Sequence, residues 1–306
     1  MKAARLPSLA LLALAACGEA EDAPLDASTV ALTARDNVRH VAGELADALA
    51  FLEGTRAGAL LGGCADEEAC EPLRGDELAE TFAHLLSERI FTGENVEAEG
   101  PGSITFRLRP EQVCPPGDDA CATFLREVPI RLEVTSDAPG DLDVAVLVGA
   151  ARHRPAEVAL HAERLELQVD LAELRATLVL LGVDEVELPA VMVGRLSLGV
   201  ARHEAGDFTL SLSVLEALSV RSHGYGPWEL ELGEALPAVA ARVRAPEQRI
   251  AVRLGLGALS LRGPIESLFG AGEAACAHCI GIGDAAPDGT AGLTAAGLPA
   301  EATFER

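Results

Sequence analysis

The chain has 306 residues, is 49% hydrophobic and carries a formal net charge of −24, so it can fill a substantial core beneath an acidic surface. Such a surface argues against binding nucleic acid, whose phosphates need lysine and arginine. Lys2 is the only lysine, which excludes Schiff-base chemistry and phosphate-binding lysine loops from the body of the chain. Aromatic residues make up only 3%, which weakens any case for stacking on sugars or bases.

The N-terminus has the pattern of a secretory signal. Lys2 and Arg5 precede an apolar stretch at 6–16, which is too short to span a membrane. The stretch Leu14-Ala15-Ala16-Cys17 resembles the lipobox of bacterial lipoproteins. The resemblance implies cleavage before Cys17 and acylation of its thiol and new amine, with chains such as palmitate. It therefore predicts a lipid-anchored protein of the bacterial cell envelope.

The residues that follow Cys17 indicate which membrane holds the anchor and how the anchor is joined to the rest of the chain. Gly18 stands where the enterobacterial members of that family carry an aspartate to stay in the inner membrane, so the outer membrane is favoured. Residues 17–29 are acidic and short of large apolar side chains, which predicts a flexible acylated tether.

Two helices are predicted next. Apolar residues recur at helical spacing over 28–54, with Ser28 or Thr29 as the cap. A second helix is predicted from about 76 to 90, capped by Asp76.

Six cysteines remain after Cys17, in three close pairs. An even count in an exported chain favours disulfides, and we expect local pairing because each pair brackets turn-forming residues. The candidates are Cys64 with Cys70, Cys114 with Cys121, and Cys276 with Cys279. The last pair, CAHC, has the wrong histidine position for haem attachment and too few ligands for zinc. A structural disulfide is the favoured interpretation there, and redox activity and metal binding stay open as alternatives.

Beyond Glu94 the hydrophobic period changes from helical to alternating, which predicts strands up to about residue 262. One interruption, 170–182, predicts a helix capped by Asp170, with another strand as the alternative. Similar stretches starting at Gly149, Gly199 and Ala240 suggest a repeated hairpin, with Arg152 and Arg202 facing solvent at equivalent turns.

The predicted fold class is α+β: an N-terminal helical pair followed by a mostly antiparallel sheet or sandwich with repeated hairpins. The predicted regions are a signal peptide at 1–16, the tether at 17–29, helices with disulfide loops and first strands at 30–135, a β-rich region at 136–269, and a Gly/Ala-rich tail with the CAHC pair at 270–306. The tail has little periodicity, so we expect it to be irregular.

One turn attracts attention as an interaction site. His223, Tyr225 and Trp228 lie together there, and the last two are the only Tyr and Trp of the chain. Amphipathic aromatics on a turn can anchor a partner. Trp228 closing the end of a β core is the alternative.

No motif in the sequence predicts a catalytic site, and we expect neither a cofactor nor a metal. The predicted function is therefore a membrane-anchored, non-enzymatic lipoprotein that binds or scaffolds another envelope protein. The alternative is a carrier of lipid or another hydrophobic ligand on an aliphatic β surface. A third alternative is an enzyme that uses dispersed carboxylates and histidines, which no sequence feature excludes.

Overall fold

The computed structural model describes residues 25–52, 75–114, 117–222, 228–264 and 290–305. Within these ranges the fold is α+β, as predicted, and the strands form one open antiparallel sheet rather than two stacked sheets. None of the helices in these ranges is long and apolar enough to cross a membrane.

The helices fall into three groups along the chain. Helix α1 (Ala27–Val38) continues through a π-helical turn, Arg39–Gly43, into α2 (Glu44–Leu49) and a short 3-10 turn, Ala50–Leu52. Helix α3 (Gly75–Leu85) continues into a second π-helical turn, Leu86–Ile90. The remaining helices are α4 (Pro110–Val113), α5 (Asp119–Glu127) and α6 (Leu171–Leu180).

The start of α1 differs from the prediction. Asp26, inside the predicted tether, is the N-cap, because its carboxylate accepts hydrogen bonds from the backbone N–H of Thr29 at 2.8 Å and the hydroxyl of Ser28 at 2.6 Å. These bonds, that of Ser28 above all, hold the pKa of Asp26 below its usual range. The predicted caps Ser28 and Thr29 are therefore wrong, since both serve Asp26 as donors. Helix α3 begins at Gly75, so Asp76 lies in its first turn instead of capping it.

The sheet has twelve strands in the described ranges. They are β1 (Val96–Gly100), β2 (Ser103–Arg107), β3 (Ile130–Thr135), β4 (Leu142–Val148), β5 (His153–His161), β6 (Arg164–Asp170), β7 (Val191–Glu204), β8 (Asp207–Ser222), β9 (Trp228–Leu232), β10 (Ala235–Arg244), β11 (Arg249–Pro264) and β12 (Thr290–Glu305).

The strands follow one another as a meander. Each pairs with the next along the chain, except that β9 and β10 lie end to end between β8 and β11. Strands β3 and β4 pair across the predicted boundary between 30–135 and 136–269, so one sheet spans both regions.

One face of the sheet carries the core. Side chains alternate between the two faces of a strand, and Ile104, Phe106, Val134 and Val144 pack against α1 and α3. Cross-strand alternation then places Val158, Leu165, Val169, Leu196, Val200 and Val214 on the same face. We call it the helical face.

Helix α6 is confirmed where it was predicted. The Asp170 carboxylate accepts a hydrogen bond from the backbone N–H of Glu173 at 3.0 Å, and this cap converts a strand into a helix at that residue. The expectation of an irregular tail is wrong for its last part, since residues 290–305 form β12 along β11. A ladder is made by backbone groups, so Gly and Ala can join it without an alternating pattern.

The suggested repeat does not correspond to equivalent structural positions. Gly149 starts the turn between β4 and β5 with φ +74°, whereas Gly199 lies in the middle of β7. Accordingly Arg152 sits in a turn at φ 56°, while Arg202 lies in a strand with its side chain only 17% exposed. Hairpins do recur, but the residues matched in the sequence occupy different structural positions within them.

Candidate ligand-binding site

The stretch at 44–51 covers one zone of the helical face. Leu45, Leu49 and Phe51 pack with buried Ala48 against buried Phe208 of β8 and Val243 of β10. The partly buried Val200, Leu210 and Ile250 border the same cluster.

An ionic network fixes the stretch at 44–51 to the sheet. Arg202 of β7 donates from Nε to Glu44 of α2 at 2.7 Å and from Nη1 to Glu163 at 2.9 Å. His40 lies 3.1 Å from Glu44 and 3.5 Å from Glu163. The hydrogen bond from Arg202 holds the pKa of Glu163 below its usual range, so the carboxylate stays charged at neutral pH.

Helix α6 covers a second zone of the same face. Leu171 and Leu174 pack against a cluster that includes Leu196, Val214 and Leu218. Arg175 ties the helix to the following loop by donating to the carbonyl oxygen of Pro189 at 2.8 Å. The stretch at 44–51 and helix α6, which we call the two covers, therefore pack against the same strands at different positions along them.

A row of aliphatic side chains lies between the two covers. Leu167 pairs in register with Leu198, Leu198 with Leu212, Leu212 with Val239, and Val239 with Leu254. Leu167, Leu198 and Leu212 each lie two residues from a member of a covered cluster. Val239 and Leu254 share their face through the register, so the whole row lies on the helical face. We call these five residues the apolar lane.

The side chains of the lane are partly exposed to solvent, whereas those in the zones beside it are buried. Leu198 is 52% exposed, Leu254 37% and Leu167 36%, whereas Val214 and Phe208 on the same strand β8 are fully buried. Leu212 and Val239 are half-buried. Exposed leucines are common singly, but a continuous row of apolar side chains on one surface marks an interaction site.

The dimensions of the lane suit one linear chain. Five adjacent strands about 4.8 Å apart give a length of roughly 19 Å. One leaflet of a bilayer, half of a hydrocarbon core of about 30 Å, corresponds to an extended acyl chain of roughly 15 Å. The lane is one side chain wide, and its side chains offer neither hydrogen-bond donors nor acceptors.

The predicted disulfides are described in one case. Cys114 and Cys121 are bonded, with Cα atoms 5.8 Å apart, which confirms that pair. Cys64, Cys70, Cys276 and Cys279 lie outside the described residues, as does Cys17.

The predicted interaction turn is described only at its end. His223 and Tyr225 lie outside the described residues, and Trp228 begins β9, where it pairs in register with Ser222. The apolar lane follows from the strand register of other residues, none of which belongs to this turn.

Two histidines with matching sequence contexts do not meet. His153 starts β5 and lies 3.1 Å from Glu173, whereas His203 ends β7 and lies 2.8 Å from the Thr209 hydroxyl. The register places Ala201 level with His161, so His203 lies about ten residues along the strand direction from His153, or roughly 33 Å. No group of three or more His, Cys, Asp or Glu in the described ranges has the spacing of a metal site.

Comparison with known proteins gives no match to any family model, curated protein or solved structure.

Proposed function

We propose that this protein is a lipoprotein of the bacterial cell envelope, anchored through acylated Cys17 and favouring the outer membrane. The lipobox-type stretch that ends at Cys17 supports this proposal. Two acyl chains suffice to hold a protein at a membrane stably. The first described helix is capped by Asp26, nine residues after Cys17 in the sequence, so the helix is close to the anchor along the chain.

The body binds a linear hydrophobic ligand, an acyl chain of a lipid or fatty acid, in the apolar lane. The observation that carries this proposal is the exposed row that runs from Leu167 through Leu198 to Leu254 between two helical covers. Leucine and valine provide no nucleophile, acid or base, so the lane holds a ligand without transforming it. The function is therefore binding or carriage.

A fluorescent fatty acid tests the proposal. The full chain carrying Cys17→Ser removes the acylation site, so that bound lipid is not confused with the anchor. Titration with cis-parinaric acid should give saturable binding near one molecule per chain. Lipid extracted from the purified variant should contain acyl chains near the same ratio. Non-saturable binding together with lipid-free protein would remove the basis of the proposal.

Scaffolding of another envelope protein is the second candidate. It is favoured by an apolar stripe on α3, where Leu78, Phe82 and Leu85 recur at helical spacing and are 58%, 47% and 37% exposed. Such a stripe fits the apolar groove of a protein partner. A photocrosslinker placed at position 82 should then capture one defined protein in cells. With the photocrosslinker moved to position 78, the substitution Phe82→Ser should abolish the crosslink to that protein.

A further inference from the structure

A small hollow lies beside β1 and β2, on the face of the sheet opposite the helical face. It has a volume of about 290 Å³ and is formed where β2 ends and α5 passes by. Its lining consists of Glu97, Arg107, Leu108, Arg109, Pro110, Leu125 and Arg126. The Cys114–Cys121 disulfide closes the loop that joins α4 to α5, and so links the two sides of the hollow.

The three arginines of this hollow form no ion pair with a carboxylate among the described residues. Arg107, Arg109 and Arg126 are exposed, and none has a carboxylate within 4 Å among the described residues. Most other arginines in the described ranges form an ion pair with a carboxylate: Arg39 pairs with Glu80, and Arg242 pairs with Asp207. In a chain with twice as many acidic as basic residues, three arginines without ion pairs around one hollow concentrate positive charge locally.

Glu97, the only acid among the lining residues, is already neutralised. Arg131 donates to it from Nε at 2.6 Å and from Nη2 at 3.3 Å. That hydrogen bond, with added attraction from Arg107 and Arg152, holds the pKa of Glu97 below its usual range. The surroundings of this carboxylate therefore carry an excess of positive charge.

The strand register concentrates that charge further. Arg107 of β2 pairs directly with Arg131 of β3, and their side chains share the face opposite buried Phe106 and Leu132. Like charges at directly opposed positions destabilise a sheet. The Glu97 carboxylate, bonded to Arg131, offsets part of that repulsion, and a further anion beside Arg107 would offset more of it.

We propose that this arginine hollow is a binding site for a phosphate group. Guanidinium groups match phosphate oxygens with paired N–H donors, and several around one hollow can share a dianion. The apolar side chains of Leu108, Pro110 and Leu125 suit a phosphate attached to a carbon skeleton. The source is either a free phosphate or the headgroup of a phospholipid, and this site is separate from the apolar lane.

Binding measurements on the full chain with Cys17→Ser test the proposal. Calorimetry with inorganic phosphate and cosedimentation with phosphatidylglycerol vesicles, both at 0.15 M salt, separate the two sources. Binding in either arm supports a phosphate site, and vesicle binding alone assigns it to a headgroup. Arg107→Gln and Arg126→Gln should each weaken binding roughly tenfold, since each removes charge-assisted hydrogen bonds.

Two further variants make the test specific. Arg253→Gln removes an exposed arginine that lies outside the hollow, and should leave phosphate affinity unchanged. Glu97→Gln removes the carboxylate and should strengthen binding. The melting temperature should change little in Arg107→Gln, because the relief of the like-charge pair with Arg131 compensates for the lost attraction to Glu97. The proposal is overturned by the absence of binding in both arms, or by equal losses in the Arg253 and Arg126 variants.

Discussion

Replacing Leu198 by alanine removes the most exposed side chain of the apolar lane. Leu198 lies in the middle of β7, between its register partners Leu167 and Leu212. Alanine keeps the backbone ladder and leaves a gap of one side chain in the row. We expect weaker binding of a hydrophobic chain with the fold retained.

The size of the effect follows from the exposure. Full burial of a leucine side chain contributes about 1.5–3 kcal/mol. Since 52% of Leu198 is exposed, a ligand that covers it gains about 1 kcal/mol, or roughly fivefold in Kd. Leu254 is three strand positions away, so the two losses should add, and the Leu198→Ala/Leu254→Ala double variant should bind roughly twentyfold more weakly.

Titration with cis-parinaric acid measures both variants against a matched control. Leu32 of α1 is 50% exposed and lies on the side of the helix away from buried Val30 and Ala34. Leu32→Ala should therefore leave Kd unchanged. Equal losses in Leu32→Ala and Leu198→Ala would refute the lane, because binding would then depend on apolar surface in general.

Three predictions concern the framework around the sites. Gly194→Ala should lower the free energy of unfolding by about 1–3 kcal/mol in urea titration, because φ is +107° and the new Cβ would lie 2.5 Å from the carbonyl oxygen of Ala217. Removing the Cys114–Cys121 disulfide in the Cys114→Ser/Cys121→Ser variant should lower it by up to about 2.5 kcal/mol relative to the wild type. The stability difference between the wild type and Glu97→Gln should shrink as pH falls below about 4.3.

The sign of the pH effect follows from the lowered pKa of Glu97. A carboxylate with a depressed folded-state pKa stabilises the fold above its unfolded-state pKa, and loses that contribution as pH falls through the folded value. A difference that stays constant from pH 7 to pH 3 would show that the bond with Arg131 adds nothing. For the glycine, Gly43→Ala is the control: it has helical dihedrals and open space around the new Cβ, so stability should hold or rise.

The sequence predicted elements whose signals are local. Helix α6 was found because Asp170 is a capping residue directly before a helical run, and the Cys114–Cys121 disulfide because its turn-forming loop brings the two cysteines together. The cap of α1 was not predicted because three capping residues, Asp26, Ser28 and Thr29, occur within four positions, and only the hydrogen bonds distinguish Asp26.

The candidate sites depend on information that is not local. Alternation in RLELQVDL and GRLSLGVA showed aliphatic faces, which suggested a hydrophobic surface in general. Which of those residues stay open depends on where α2 and α6 pack, and the row from Leu167 to Leu254 appears only once the strand register is known. Likewise, Arg107 and Arg126 are brought to one hollow by the path of the chain through a disulfide loop.

Photocrosslinking with a diazirine-bearing fatty acid tests the central claim most directly, because it maps where the chain lies on the protein. The full Cys17→Ser chain would be irradiated with the probe, digested and mapped by mass spectrometry. We predict labels on β7, β8 and β11 around Leu198, Leu212 and Leu254. Labels confined to the stripe on α3, or spread evenly over the chain, would contradict the account.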